Sequence, residues 1–279
     1  MDILDRASAP LSAAEWKALD DAMIKAVRQV VIGRRMIELQ GPLGPGVYTI
    51  PYSVFCDEPA PVEMDLTGDQ DAHVVSASVR KTIELPALYQ DFKLMWRDIQ
   101  SDRKLGTPFD TSAAAVAAAN VAGQEDRLIF QGDAALGMEG LMTADGSLHV
   151  PMSDWSKAGT ALSDVVKAIS ALSAHAHFGP YALAVSPVLY GQLIRAYANT
   201  GLLEIDQVKA LVVDGIYVSN ALSAKQAVVV ETGARNMSLV VGQDISIAYL
   251  GAENMNHPFR ILETAALVIR RPSAICTIA

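Results

Sequence analysis

Twenty residues into the chain, the sequence has already committed to a helix whose apolar side has no visible partner. Ser12 stands in an N-cap position and Glu15 follows three residues later, the pattern of a capping box, with Leu11 and Trp16 placed to staple across it. The spacing predicts a helix from Ala13. Trp16, Leu19, Met23, Val27, Val30 and Val31 then recur every three or four residues, and Gly33 is the expected stop. The residues ahead of this stripe, Pro10 among them, are too few to supply a second layer. The stripe must lie on a distant part of the chain or on a neighbouring subunit, and the sequence leaves both open.

The stretch "ELQGPLGPGVYTIP", Glu38 to Pro51, sets three glycines among three prolines. Its spacing is neither GxGxxG nor a Walker loop, and the prolines remove the amide donors a phosphate cradle needs, so a stiff turn is expected. It leads into β-branched and aromatic residues broken by Pro51, Pro59, Pro61 and Pro86, which read as long, interrupted strands running through "FKLMWRD". With little to form a core of its own, this region is expected to be an extended arm that gains stability from partners. Asp110 should cap an alanine-rich helix ending near Gly132, suited to close packing. From about Ser147 helices and strands alternate as a compact lobe, and the rest is strand-rich to the last residue.

The chemical signals are sparse. With 279 residues, 51% hydrophobic and 19% charged, the chain can bury a large core. A net charge of −9 provides no broadly basic surface for nucleic acid. Cys56 and Cys276 lie far apart with no metal-ligand spacing, so buried thiols are expected and neither a zinc site nor a disulfide framework. Neither a secretory signal nor a run of membrane-spanning length is visible, and a cytoplasmic protein is expected. His175 and His177 fall at a helix end as caps; His257 precedes a proline; His73 and His149 stand in polar loops. No HExxH or GxSxG accompanies them, so neither a catalytic nor a metal-ligating set is assigned. The adjacent Glu125 and Asp126 diverge by about 100° on a helix and are expected on a solvated face or in intersubunit ion pairs, as are the carboxylates of "EIDQVK". Trp96 is expected in core or interface.

Seven segments, "LDRASAPLSAAEW", "GRRMIELQGPLGPGV", "YQDFKLMWRDI", "EDRLIFQGDAALGMEGLM", "GPYALAVSPVLY", "ENMNHPFRILE" and "RRPSAICTI", resemble the encapsulins, shell proteins of prokaryotic nanocompartments. The likeness is collinear over nearly the whole chain and is strongest to encapsulins with ferritin-like cargo that store iron. It implies an α+β protein with the tailed-bacteriophage capsid fold: an N-terminal helix and entry to the peripheral domain (1–46), an extended loop (47–85), the peripheral domain with its spine helix (86–146), an axial domain (147–220), and peripheral C-terminal strands (221–279).

It implies function as well. The chain would be a non-enzymatic shell protomer that assembles with itself into an icosahedral cage, a virus-like particle in the cytoplasm, and loads cargo through the partner's C-terminal peptide. The cargo would be ferritin-like, or a dye-decolourising peroxidase. No nucleic acid, membrane or shell-borne cofactor is required. By position, the peptide groove would take Val31, Arg34, Glu38, Asp244, Ile245, Ser246, Ile247 and Tyr249. The pore would take the small uncharged Asn199, Thr200 and Gly201. Trp96 aligns with a flavin-stacking tryptophan of one branch, although its flanking residues differ. Two other readings remain: a phage-type capsid protein, whose mark would be a scaffolding or cleaved extension before the helix, and a hydrolase pairing His257 with a distant serine or cysteine.

Overall fold

A computed structural model describes residues 3–55, 62, 64, 74–196 and 201–279. The capping box forms: Ser12 Oγ accepts from the Glu15 amide at 3.3 Å and Glu15 Oε2 from the Ser12 amide at 2.7 Å. Helix α1 spans Ala13–Val30. It stops before Gly33 because Asp126 Oδ1 takes the amides of Ile32 at 2.9 Å and Gly33 at 2.8 Å, turning the chain into the short helix α2, Gly33–Met36. Gly33 is therefore a point of close approach rather than a terminator. A Cβ there would overlap the buried side chain of Ile129.

After β1 (Leu39–Gln40) the glycine-proline stretch runs on along the main sheet, Leu43 and Gly44 donating to the carbonyls of Val241 and Gly242 at 3.0 and 2.9 Å. Gly41 has φ +132° and lies against the Val241 carbonyl, where a side chain would meet both backbone strain and overlap. The arm follows as β2 (Thr49–Val54) and β3 (Val79–Glu84), and β4 (Ala87–Leu94) enters the main sheet. The strand expected to carry Trp96 ends at Leu94, and α3 (Trp96–Leu105) replaces it. Its charged residues ride on solvent and Ile99 alone is buried, so a polar helix had been masked by the apolar run before it.

The alanine-rich helix α4 spans Ser112–Gln131, with Asp110 accepting from the Ser112 amide at 2.9 Å and Gly132 as its C-cap. The chain continues through β5 (Gly132–Asp133), β6 (Met138–Glu139), β7 (Leu148–Val150), α5 (Thr160–Ala174), β8 (Tyr181–Val185), α6 (Pro187–Leu193), α7 (Glu204–Leu211), β9 (Ile216–Val218), β10 (Ala227–Glu231), β11 (Met237–Val241), β12 (Ser246–Tyr249), β13 (His257–Ile269) and β14 (Ile275–Ile278).

Two five-stranded sheets organise these elements. In the first, the order is β1-β11-β13-β12, with β4 along the start of β13; in the second it is β7-β14-β10-β8-β9. Residue 220 is thus not a boundary between sheets: β10 and β14 cross back into the second lobe, where they pair in the middle of its sheet. Fully apolar strands such as "ALAV" and "AVVV" suit that central, two-sided burial.

The stripe of α1 finds its partner within the chain. Trp16, Leu19 and Met23 join α4, β4 and β13 in one core, with the Trp16 ring edge-on to Phe259 at 5.7 Å. Ala114, Ala117 and Ala118 are buried on α4, and their small side chains let α1 and the sheet approach the helix from both sides. A second core joins the lobes through Ile129, Phe130, Ala184 and Leu267, and a third fills the second lobe around Trp155 and Leu172.

Candidate functional site

Where α2 leaves the N-terminal helix, the fold assembles a charge junction. Arg34 Nε donates to Glu125 Oε1 and Oε2 at 2.8 and 2.9 Å, Nη1 to Asp244 Oδ1 at 2.8 Å, and Nη2 to Glu263 Oε1. Glu125 comes from α4, Glu263 from β13 and Asp244 from the turn before β12. Glu125 and Glu263 are fully buried and Asp126 nearly so. The expected solvated face of Glu125 and Asp126 is corrected here. The two do diverge, Glu125 to Arg34 and Asp126 to the amides of α2, yet both point into protein. Burial works against the Arg34 charge, and Glu263 and Glu125 more than offset it, so the guanidinium stays protonated. Burial raises Asp126 to about 6 against the pull of the Gly33 and Ile32 amides.

The residues expected to line a peptide groove divide. Arg34 and Asp244 are brought together, and Ile245 and Ser246 follow on the same turn, half-buried. Ser246 Oγ donates to the Asp244 carbonyl at 2.8 Å and accepts from Gln243 Nε2 at 3.0 Å. Glu38 turns elsewhere, accepting from the Ala234 amide at 3.0 Å. Val31 is buried at the C-cap of α1, and Ile247 is fully buried in the core with Phe259 and Ile261. Tyr249 packs at a tilt against Phe259, its hydroxyl 3.0 Å from His257 Nδ1, and its amide donates to the Leu4 carbonyl at 2.8 Å. The N-terminal segment therefore lies on part of the β12 edge, fixed by Arg6, which pairs with Asp20 at 2.6 Å and covers the Trp16 ring.

A second buried hub ties the lobes. Glu231 Oε1 accepts from the amides of Phe178 and Gly179 and from Arg235; Oε2 accepts from His177 Nδ1 and Asn236 Nδ2, both at 2.7 Å. His177 Nε2 lies 2.8 Å from Ser273 Oγ. Serine, histidine and glutamate thus stand in relay order, the arrangement a hydrolase assembled from distant residues would need. Here His177 is fully buried and Glu231 is committed to five donors, so the relay acts as a clasp. His175 caps α5, its Nδ1 2.9 Å from the Ala171 carbonyl, while His177, expected as a second cap, belongs to the hub. Cys276 is buried, and burial pushes its thiol up to about 11, outside nucleophilic range. Cys56 and His73 lie outside the described residues.

In "EIDQVK", Glu204 is buried and accepts from the Leu162 amide at 3.0 Å, while Asp206 meets Lys209 on the surface. Of the expected pore residues, Asn199 and Thr200 lie outside the described residues; Gly201 is exposed, with φ +67°. The flanking Ala196 and Leu203 form an isolated bridge. Trp96 opens α3, 37% exposed, with the Arg97 guanidinium 5.6 Å from its ring centre.

Clefts open on several faces of the molecule. Two flank the arm: about 340 Å³ between Tyr52, Ile83 and Leu267, and about 370 Å³ between Tyr48, Pro86 and Leu136. One of about 480 Å³ adjoins Trp155 and Lys225, and one of about 500 Å³ lies between α1 and α4. The last is lined by Gln29, Asn120, Gln124 and Arg127, so the space beside the N-terminal helix is polar. Among the described residues no three histidine, cysteine, aspartate or glutamate side chains are placed to hold a metal ion, and no helix is long and apolar enough to cross a membrane.

Residues 1–266 match the sequence family described as encapsulating protein for peroxidase. The chain is 48% identical over 277 residues to the type 1 encapsulin shell protein EncA of Myxococcus xanthus, covering 99% of this chain and 96% of that one. Among solved structures, the virus-like particle from Pyrococcus furiosus superposes with a TM-score of 0.77 at 20% identity, covering 95% and 99% of the two chains. The capsid of Myoviridae phage XM1 superposes with a TM-score of 0.64 at 10% identity, covering 87% and 88%.

Proposed function

The chain belongs to the encapsulin shell-protein family, and from that membership we propose that it builds a closed icosahedral compartment in the cytoplasm that encloses a ferritin-like enzyme for iron storage. The shell-forming role rests on the family, whose relatives are named as shell proteins and not as enzymes. The observation that carries the assembly reading is the arm. Strands β2 and β3 pair with each other and with no further strand among the described residues, and Val62, Met64, Val74 and Val75 beyond them are more than 70% exposed. A lone two-stranded ribbon is marginal in water; Ile50, Tyr52 and Ile83 pack on the first core, and the exposed apolar positions beyond them call for a neighbouring subunit. Replacing residues 49–84 by a short glycine-serine link is expected to leave the helical circular dichroism of the body and abolish particles in size-exclusion chromatography. Particles of unchanged size would overturn the role given to the arm.

For cargo capture, the reading supported best is a peptide laid against the Asp244–Tyr249 turn and strand, with Arg34 and Glu38 at its margins. Asp244, Ile245 and Ser246 offer exposed or half-exposed surface, and β12 ends the order of its sheet, as a strand-addition site requires. Val31 and Ile247 would support this surface from within. Asn199, Thr200 and Gly201 are retained as the pore-lining segment, small and uncharged. Trp96 presents a half-exposed indole on which a flavin ring can lie, and flavin absorbance of purified shells tests that role. Mass spectrometry of particles from the source organism decides the cargo. A ferritin-like partner supports iron storage, whereas a dye-decolourising peroxidase would replace it, in keeping with the family's description.

A further inference from the structure

We propose that Glu125 and Glu263, bridged by Arg34, form a one-proton latch that holds the exit of the N-terminal helix to the sheet and opens when that proton is lost. Both carboxyls are fully buried, and they share one guanidinium between α4 and β13. Glu125 receives Arg34 Nε on both oxygens. Glu263 receives Nη2 on Oε1, which leaves its Oε2 buried with no hydrogen-bond partner among the described residues. Leaving such an atom unpaired costs the desolvation of a buried acceptor with nothing in return. A proton on Oε2, donated toward Glu125, removes both the orphan atom and the second buried negative charge.

The charged groups around the pair fix the sign of the effect. From α2 comes Arg34, the one cation there among the described residues; from α4, Glu125 and the neighbouring Asp126; from the turn before β12, Asp244, half-exposed; β4 places Leu88 opposite Glu263. One positive charge therefore faces more carboxylates than it can neutralise. Burial raises Glu263 well above the usual carboxylate range, the Glu125 charge adds to it, and Arg34 opposes them. A carboxyl raised in the folded state stabilises while protonated, so this contribution declines as pH rises from the ordinary glutamate range through the raised value. Asp126 has the same sign, but its window closes near its own value of about 6, so a response that continues at higher pH belongs to the pair. With the proton gone, two buried carboxylates share one arginine, and burial is what penalises their charge, so opening of the junction at α2 is favoured because it lets water reach them.

Hydrogen exchange of the full chain, followed by mass spectrometry on peptides covering residues 31–37 from pH 6 to pH 9 and corrected for the base-catalysed intrinsic rate, tests the latch. Protection is expected to fall about tenfold across that range in the wild type. It should stay flat in Glu263→Gln and in Glu125→Gln, because either amide keeps a donor between the two side chains at every pH. A flat wild-type profile, or Gln variants with the wild-type slope, would overturn the proposal. So would two Gln variants that both fail to fold, since each mimics the protonated pair. The readout is local to α2 and independent of cage formation and of cargo.

Discussion

Replacing Arg34 by methionine is expected to destabilise the protein by about 3–5 kcal/mol, read as a lowered urea-unfolding midpoint, because it strands the negative charge of the fully buried Glu125–Glu263 pair. The charge that remains is what costs. Adding Glu125→Gln and Glu263→Gln to the methionine variant should therefore recover most of the loss, since a neutral buried cluster is tolerated where an unpaired anion is not. Glu38→Ala provides the contrast. Its carboxylate is exposed and holds a single loop amide, so its removal should shift stability by under about 1 kcal/mol while testing any part it takes in peptide capture. Equal costs for the two substitutions would contradict the junction described for Arg34.

Glu231→Ala is expected to cost a similar amount, about 3–5 kcal/mol, and to loosen the second lobe selectively. Five donors lose their acceptor: the Phe178 and Gly179 amides that enter β8, His177, Asn236, which ends the turn into β11, and Arg235. Hydrogen exchange should accelerate in peptides covering 177–186 and 229–237 before it does in α1. The pH dependence runs opposite to that of the Arg34 junction. Burial raises Glu231, but hydrogen bonds from His177 and Asn236 and the Arg235 charge outweigh it and hold the carboxyl below its usual value. Its stabilisation is present above the ordinary glutamate range and is lost as pH falls through the lowered value. Acid should thus open the second lobe first, and alkali the α2 junction. An alanine variant with the wild-type unfolding midpoint at neutral pH would remove the clasp from the account.

What the sequence made legible is mostly what local chemistry decides. A capping box needs four residues, so α1 could be started correctly at Ala13, and small side chains on α4 marked a helix built for close packing. The misplaced pieces depend on distance. Trp96 followed "FKLM" and read as more strand, whereas the ten-residue stretch it opens is a charged helix with one buried position. Gly33 looked like a terminator because the carboxylate that turns the chain there comes from Asp126, 93 residues on.

The junction was invisible for the same reason. Arg34 meets Glu125 across 91 residues and Glu263 across 229, and no spacing rule joins them. Glu231, His177 and Ser273 were likewise missed as a set, although a glutamate inside the apolar run "AVVVE" was a signal that a buried partner must exist. The collinear likeness to encapsulins carried the fold further than periodicity did. It assigned the peptide residues to the Asp244–Tyr249 turn and strand without showing that Ile247 among them is already consumed by the core.

Electron microscopy of the purified chain, expressed without any partner, tests the central claim most directly. Uniform, closed, hollow particles are expected, with arms engaged between neighbouring subunits. A small oligomer under native conditions, with the arm still free in solution, would contradict it.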